Sequence, residues 1–160
     1  MRKPNRRIGE ILLEKGFITE AQLADALSEQ KLNSILLGEI LTKKGALSKE
    51  HFLEALSEQF DIPMVNLKEQ DIDPELAGKF SSALVVDHKC FPLFKQQDSI
   101  TVAIVNPLNA VALNKIEEEA QGLKVNLVLV SEEDLEELLK KYRQRISQNI
   151  QRLLRKGKET

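Results

Sequence analysis

Two short stretches of the chain combine residue types that suit contact with a planar, anionic ligand. The first begins with Arg7, Ile8 and Gly9, and the second comprises Leu36–Gly38. Arginine presents a planar fork of N–H donors that can pair with phosphate or a guanine edge and can stack on a base. Glycine in a first helical turn costs roughly 1 kcal/mol relative to alanine. That cost is tolerated where a ligand or another backbone must approach closely.

Each stretch is predicted to open a short helix, and a longer helix follows it. The first amide groups of a helix lack backbone partners and favour phosphate oxygens. Gln30 and Gln59 end the longer helices with side chains that both donate and accept hydrogen bonds. Apolar rows beside them could cover the flat face of a base: Leu12, Leu23 and Leu27, and then Leu41, Phe52 and Leu56. Two such units in tandem suit a ligand that is itself two-fold and anionic.

These residues belong to a repeated block. It runs from Arg7 to Gln30 and returns from Leu36 to Gln59, each residue reappearing 29 positions later, with eleven of 24 positions identical. A duplicated core needs only apolar residues at the right spacing. This block also repeats two glycines and a terminal glutamine, so it indicates more than packing.

The elements that position these residues follow from local patterns. Ile8, Ile11 and Leu12 have the i, i+3, i+4 spacing of a helical face. Gly16 then predicts a left-handed C-terminal cap, and Thr19 with Gln22 predicts a capping box. The second copy repeats the design, with Gly45 and Ser48 at the matching positions. Residues 1–62 are therefore predicted to form two helical hairpins of one design.

The hydrophobic period changes after Pro63. In residues 63–130, CFPLF, SITVAIV and KVNLVLV read as strands. Helices are expected after Asp73 (to about Phe80), around 83–88 and over 110–120. Residues 131–160 are predicted to be a helix capped by Ser131 that leads into a basic segment, either a linker or a solvated tail. The fold class is α+β: a four-helix subdomain, a small α/β sandwich and a C-terminal helix.

Composition excludes several classes of protein. The chain has 160 residues, a formal net charge of −2 and one cysteine, Cys90. An internal disulfide is impossible, and no histidine or cysteine spacing suggests a metal site. The basic start, MRKPNRR, lacks the apolar stretch of a signal peptide, so we expect a cytoplasmic protein without direct membrane insertion. No GxxxxGK[ST] phosphate loop or catalytic constellation is present, which predicts a protein that is not an enzyme and needs no cofactor.

The segment RIGEILLEKGFITEAQLADALSEQ, followed after five residues by LLGEILTKKGALSKEHFLEALSEQ, closely resembles the tandem motif of the MshEN domain. In that family the pattern runs roughly RLGxxLxxxGxIxxxxLxxALxxQ, twice. The MshEN domain is the N-terminal regulatory domain of type II secretion and type IV pilus assembly ATPases. The resemblance extends over about residues 7–140, since the NLKEQDIDPEL and ITVAIVNPLN stretches are similar to the family's C-terminal subdomain.

The resemblance implies that the domain binds cyclic di-GMP, a two-fold symmetric, doubly anionic second messenger, with one motif for each half of the ligand. It also implies, as a partner, an assembly ATPase domain or a membrane-platform protein. The implied ligand-binding residues are Arg7, Ile8, Gly9, Leu12, Leu23, Leu27, Gln30, Leu37, Gly38, Glu39, Leu41, Leu56, Gln59 and Asn106.

Three positions depart from the family pattern. Asp is common in the family where Glu39 stands, and an arginine precedes some second motifs where this chain has Leu36. An Asp-Pro turn is common where this chain has Asn106-Pro107. A carboxylate can accept two hydrogen bonds from a guanine edge, whereas Asn106 offers one acceptor and adds donors. This change is expected to weaken or reorient such a contact.

Two other functions fit parts of the sequence. A module of the same fold that has lost the nucleotide could link an assembly ATPase to its membrane platform. Asn106 favours this alternative, and the intact Arg7, Gln30 and Gln59 oppose it. Helical hairpins would also permit a helix-turn-helix DNA-binding protein, but the acidic balance and glutamate-rich helices argue against nucleic acid as a partner.

Overall fold

A computed structural model describes residues 7–32 and 36–143. The chain divides into two compact units, Met1–Met64 and Val65–Thr160. The interpretation of the C-terminal basic segment as a linker or tail falls mainly on residues 144–160, which lie outside the described residues.

The described residues of the first unit form four helices, as the repeat predicts. They are α1 (Ile8–Glu14), α2 (Glu20–Leu32), α3 (Leu37–Lys43) and α4 (Lys49–Phe60). Helix α1 packs against α4, and α2 packs against α3. The short helix of each repeat therefore packs on the long helix of the other repeat, so neither repeat completes its core alone.

The helix ends follow the predicted capping chemistry. Gly16 has a φ of 72°, its amide donates to the Leu13 carbonyl, and the Phe17 amide donates to the Leu12 carbonyl, each at 3.0 Å. This pair of bonds is the Schellman motif, and it recurs at Gly45, whose φ is 75°.

Side chains cap the starts of both long helices. The Thr19 amide donates to Gln22 Oε1 at 2.9 Å, and the Gln22 amide donates back to Thr19 Oγ1 at 3.1 Å, which completes the predicted capping box. The Ser48 hydroxyl accepts from the His51 amide at 3.1 Å.

Both repeats supply the core of the first unit. The buried cluster comprises Ile11, Leu12, Ile18, Ala26, Leu37, Ile40, Leu41, Leu47 and Ala55. Most members occupy equivalent positions in the two copies, because the apolar spacing is duplicated with the rest of the block.

The second unit is built on a three-stranded sheet in the order β1-β2-β3. β1 (Cys90–Gln96) and β2 (Ser99–Ile104) form an antiparallel hairpin, while β3 (Lys124–Leu129) runs parallel to β2 after the crossover helix α5 (Ala110–Glu119). The central strand β2 is buried along nearly its whole length. The three predicted strands and this helix are confirmed.

Shorter turns precede the sheet. Residues Leu67–Glu69 and Pro74–Gly78 form 3-10 turns, and Ala83–Asp87 forms one π-helical turn. Asp73 caps the second turn by accepting from the Glu75 amide at 3.0 Å. The sequence predicted a helix from here to about Phe80. The observed turn is shorter because 3-10 geometry aligns its hydrogen bonds poorly and is rarely sustained.

The last described element is a helix over residues 132–143, here α6. Ser131 caps it by accepting from the Asp134 amide at 3.2 Å, and the Tyr142 ring lies 5.6 Å from the Phe91 ring between centroids. Lys89 pairs with Glu132 and Glu136, and these carboxylates raise the pKa of the Lys89 ammonium. None of the helices described is long and apolar enough to cross a membrane.

Candidate functional site

The two motif starts have the same backbone geometry. Arg7 and Leu36 are the extended N-cap residues of α1 and α3, and neither provides a side-chain capping hydrogen bond. In contrast, the long helices are capped by Thr19 and Ser48. Arg7 is exposed. A two-turn helix carries only a small macrodipole, so individual side chains and amides must supply the affinity for any anion here.

Gly9 lies where the two repeats meet. It is buried, and a Cβ built on it would lie 3.0 Å from Leu23 Cδ1 and 3.5 Å from Leu37 Cδ2. Leu37 opens the second motif, so the starts of the two motifs are neighbours in the folded unit. The glycine therefore allows a close approach, as the sequence predicted, and here side chains make that approach.

Gly38 accommodates a larger neighbour. A Cβ built on Gly38 would overlap Cζ and Cε1 of the Phe52 ring and would lie 2.8 Å from its Cε2. The edge of the Phe52 ring thus fills the space directly above the glycine. The sequence indicated close approach at this glycine but not its occupant, because Phe52 read only as part of an apolar row.

The apolar candidates differ widely in exposure. Leu12 and Leu41 are fully buried, and Leu56 is buried at 4%, whereas its repeat partner Leu27 is 42% exposed. Leu12 and Leu41 are therefore core residues whose side chains present no surface to a ligand. Leu27 presents an apolar surface, and Leu23 is half-buried at the edge of the cluster.

The polar candidates lie closer to the surface. Ile8, Gln30 and Gln59 are half-buried, and Glu39 is exposed. The glutamines are in the last part of α2 and near the end of α4, as the sequence predicted.

Asn106 belongs to the second unit and lies in the loop between β2 and α5. Its side chain is exposed, and its Oδ1 accepts from the Leu108 amide at 2.9 Å. This bond closes an Asx turn and engages the only side-chain acceptor that Asn106 has. An aspartate here could make the same bond and keep a second carboxylate oxygen for a ligand.

Ion pairs join the two repeats, and the sequence did not predict them. Lys44 Nζ at the end of α3 lies 2.6 Å from Asp25 Oδ2 and 2.7 Å from Glu29 Oε2 on α2. These carboxylates raise the pKa of the Lys44 ammonium. Asp25 is exposed and Glu29 is half-exposed, so these pairs contribute little to the free energy of unfolding.

The equivalent lysine makes the equivalent contacts one repeat earlier. Lys15 Nζ lies 2.9 Å from Glu58 Oε2 and 3.8 Å from Glu54 Oε1 on α4. The signal was present in the sequence: a lysine recurs at 15 and 44, and acidic residues recur at matching offsets. These pairs give a structural role to the lysine and glutamate that the repeat keeps identical.

Metal chemistry has no support in the part of the chain that the structure describes. No group of three His, Cys, Asp or Glu side chains there could hold an ion. Burial raises the pKa of the Cys90 thiol to about 12, so the thiol is protonated and unreactive at neutral pH.

Solved structures of two other proteins show which class of fold this chain has. The duplicated hairpins and the α+β unit have the fold of MshE in its structure with cyclic di-GMP, with a TM-score of 0.79 at 24% identity, covering 86% of this chain and 99% of that one. The N-terminal domain of XpsE matches with a TM-score of 0.67 at 20% identity, covering 88% and 96%. At these identities the likeness shows the fold.

Sequence comparison then gives the family. The MshEN domain profile matches residues 60–149, more than half of the chain. The chain therefore belongs to the MshEN domain family. It is also homologous to the type IV pilus assembly ATPase PilB of Myxococcus xanthus (strain DK1622), with 29% identity over 136 residues. That match covers 85% of this chain and 24% of PilB, so the chain spans about a quarter of that relative's length.

Proposed function

We propose that this domain binds cyclic di-GMP in the cytoplasm and regulates an assembly ATPase of the secretion or pilus type, without catalytic activity of its own. Family membership and the fold shared with MshE support the proposal. The tandem motif, which retains Arg7, both glycines and both terminal glutamines, supports it further.

One observation carries the proposal: the starts of the two motifs are neighbours. Leu37 Cδ2 lies 3.5 Å from the position of a Cβ on Gly9. A ligand with two equivalent halves can therefore meet both motifs at once. The exchanged packing of α1 on α4 and of α2 on α3 produces this arrangement.

The proposed roles follow from the chemistry of the groups. Arg7, exposed and extended at the start of α1, pairs with a phosphate or a guanine edge. Gln30 and Gln59 hydrogen-bond the two halves of the ligand, and Leu27 covers a base with its exposed surface. Leu36 supplies no cation, so the second half is held more weakly.

Isothermal titration of the full chain with cyclic di-GMP tests the proposal. We expect binding by the wild type and a loss of about tenfold or more in Arg7→Ala, since hydrogen bonds to charged groups contribute roughly 1.5–3 kcal/mol. Leu36→Arg is expected to tighten binding because it restores a cation to the second motif. Arg143→Ala, which removes an exposed arginine outside the motif, is the matched control and should bind like the wild type.

A nucleotide-free docking module is the second candidate function. Two observations favour it: the Phe52 ring fills the space above Gly38, and the Asn106 acceptor is engaged within its own loop. The same titration discriminates the two. No heat signal from either the wild type or Leu36→Arg at high protein concentration would remove ligand binding and leave the docking function.

A further inference from the structure

The two halves of the proposed site differ in how their glycines are covered. We call the space directly above the Cα of Gly9 or Gly38 a glycine notch. Leu23 lines the Gly9 notch with one methyl carbon 3.0 Å from where a Cβ would stand, a tight approach that a flexible side chain can relieve. Three ring carbons of Phe52 lie within 2.8 Å of the same position at Gly38. The repeat places Leu23 and Phe52 at equivalent positions, so one substitution within the repeat creates this difference.

We propose that the Phe52 ring is a displaceable plug of the Gly38 notch, closing the second half of the cyclic di-GMP site until ligand bound at the first half displaces it. This inference rests on the proposed function. It assigns Phe52 a role in setting affinity and the order of contacts: the first motif binds, and the second motif follows once its notch opens.

The surroundings of Phe52 allow the ring to move. Phe52 is half-buried and packs against the edge of the core cluster, whereas core leucines such as Leu41 are fully buried. A phenyl ring forms no conventional hydrogen bonds, so only packing holds it in place. Rotation of its side chain into solvent-facing space would expose the glycine without unfolding α4.

Neighbouring contacts hold the backbone on both sides of the notch. His51, adjacent to Phe52, stacks on Phe17 with ring centroids 3.9 Å apart. The Gly38 carbonyl accepts from Thr42 Oγ1 at 2.7 Å. The start of α4 and the first turn of α3 are thus anchored, and opening the notch requires only a change in the Phe52 side chain.

If the second half-site is open in only a fraction of the molecules, the apparent affinity for the ligand is the affinity of the open form multiplied by that fraction. If about one molecule in ten has the ring displaced, removing the ring raises the affinity about tenfold. Leucine is the informative replacement, because the first repeat already has leucine at this position against its own glycine. The variant therefore copies a packing arrangement that the same fold already contains.

The first test is a titration of the full chain with cyclic di-GMP using a matched pair of variants. Phe52→Leu is expected to tighten binding about fivefold to tenfold. Leu23→Phe, which places the ring at the first notch, is expected to weaken it. Equal affinity in the wild type and Phe52→Leu would overturn the plug. Weaker binding in Phe52→Leu would also overturn it, because the ring would then be stabilising the bound ligand by stacking on it.

The second test observes the ring directly by NMR. The ring current of Phe52 should shift the Gly38 Hα resonances of the free protein, and Phe52→Leu should abolish that shift. Cyclic di-GMP should move the wild-type resonances toward those of Phe52→Leu. Binding without this movement refutes the plug and leaves the proposed function intact, whereas no binding by the wild type or Phe52→Leu refutes the proposed function and the plug with it.

Discussion

At the scale of the residue, Gly9 and Gly38 have the same place in the repeat and different neighbours. Leu23 has flexible methyl groups above Gly9, and Phe52 has a rigid ring above Gly38. A methyl group of Leu23 can make room for a Cβ by shifting a few tenths of an ångström, whereas the Phe52 ring would have to leave its place altogether. The two glycines should therefore respond differently to the same substitution.

Gly38→Ala is expected to destabilise the protein by about 1 kcal/mol, because the new methyl group forces the Phe52 ring out of its place. Gly9→Ala should be close to neutral, since the gain of roughly 1 kcal/mol in helix propensity offsets the tighter contact with Leu23. Urea unfolding of the full chain measures both.

The double variant Gly38→Ala/Phe52→Leu is the control for this mechanism. It should recover most of the stability lost in Gly38→Ala, because the ring that clashes has been removed. A loss that persists in the double variant would show that the glycine is needed for another reason.

At the scale of the element, the first unit is held by exchange between repeats. Each short helix packs on the long helix of the other copy. Lys15 and Lys44 reinforce this pairing from equivalent positions, each contacting two carboxylates of the other repeat. Because both repeats have a lysine and acidic residues at equivalent positions, these charges fit the observed pairing without by themselves selecting it.

A turn joins the short helix to the long helix in each repeat, and replacing its glycine should cost a similar free energy of unfolding in both copies. Gly16→Ala and Gly45→Ala are each expected to cost about 1–2 kcal/mol, since both glycines have positive φ angles that a side chain disfavours. Thermal unfolding measures the loss. Gly78→Ala, at a glycine without a positive φ, is the matched control, and an equal loss there would contradict the explanation by backbone conformation.

At the scale of the whole molecule, different parts of the chain indicate the family and the ligand. The family profile matches residues 60–149, whereas the tandem motif occupies residues 7–59. The fold match to MshE covers 86% of the chain and so includes parts of both. Membership is therefore established independently of the repeat, and ligand binding is proposed from the repeat.

The free energy of unfolding should depend on the ionisation of the single cysteine, Cys90, at alkaline pH. Burial raises the pKa of Cys90 from its ordinary 9.0 to about 12. Above pH 9 the thiol ionises in the unfolded chain and stays protonated in the folded one. Stability is therefore fully present below pH 9 and falls by up to about 1.4 kcal/mol per pH unit above it.

Urea unfolding of the wild type and Cys90→Ala at pH 8, 9 and 10 measures this effect. Other titrating groups are common to both proteins, so the difference in unfolding free energy isolates the thiol. The wild type should lose stability relative to Cys90→Ala above pH 9. A difference that is constant over this range would mean that the thiol is accessible to solvent in the folded protein.

The sequence by itself determined the local structure and the family. The starts and ends of the four helices of the first unit, the capping box at Thr19, the left-handed caps at Gly16 and Gly45 and the three strands were all predicted, whereas the helix expected after Asp73 is a shorter 3-10 turn. Each of these depends on residues within about four positions of one another or on simple alternation. The MshEN resemblance was equally readable, because a long motif repeated in register is specific by itself.

Tertiary structure alone decided which side chains of separate helices meet in the first unit. It put Leu37 beside Gly9, the Phe52 ring above Gly38, and Lys44 beside Asp25 and Glu29. These contacts join residues 14 or more positions apart, and an amphipathic pattern shows which face is buried without showing what buries it. Packing geometry therefore decided whether a glycine kept by the repeat is open to a ligand or filled by a neighbouring side chain.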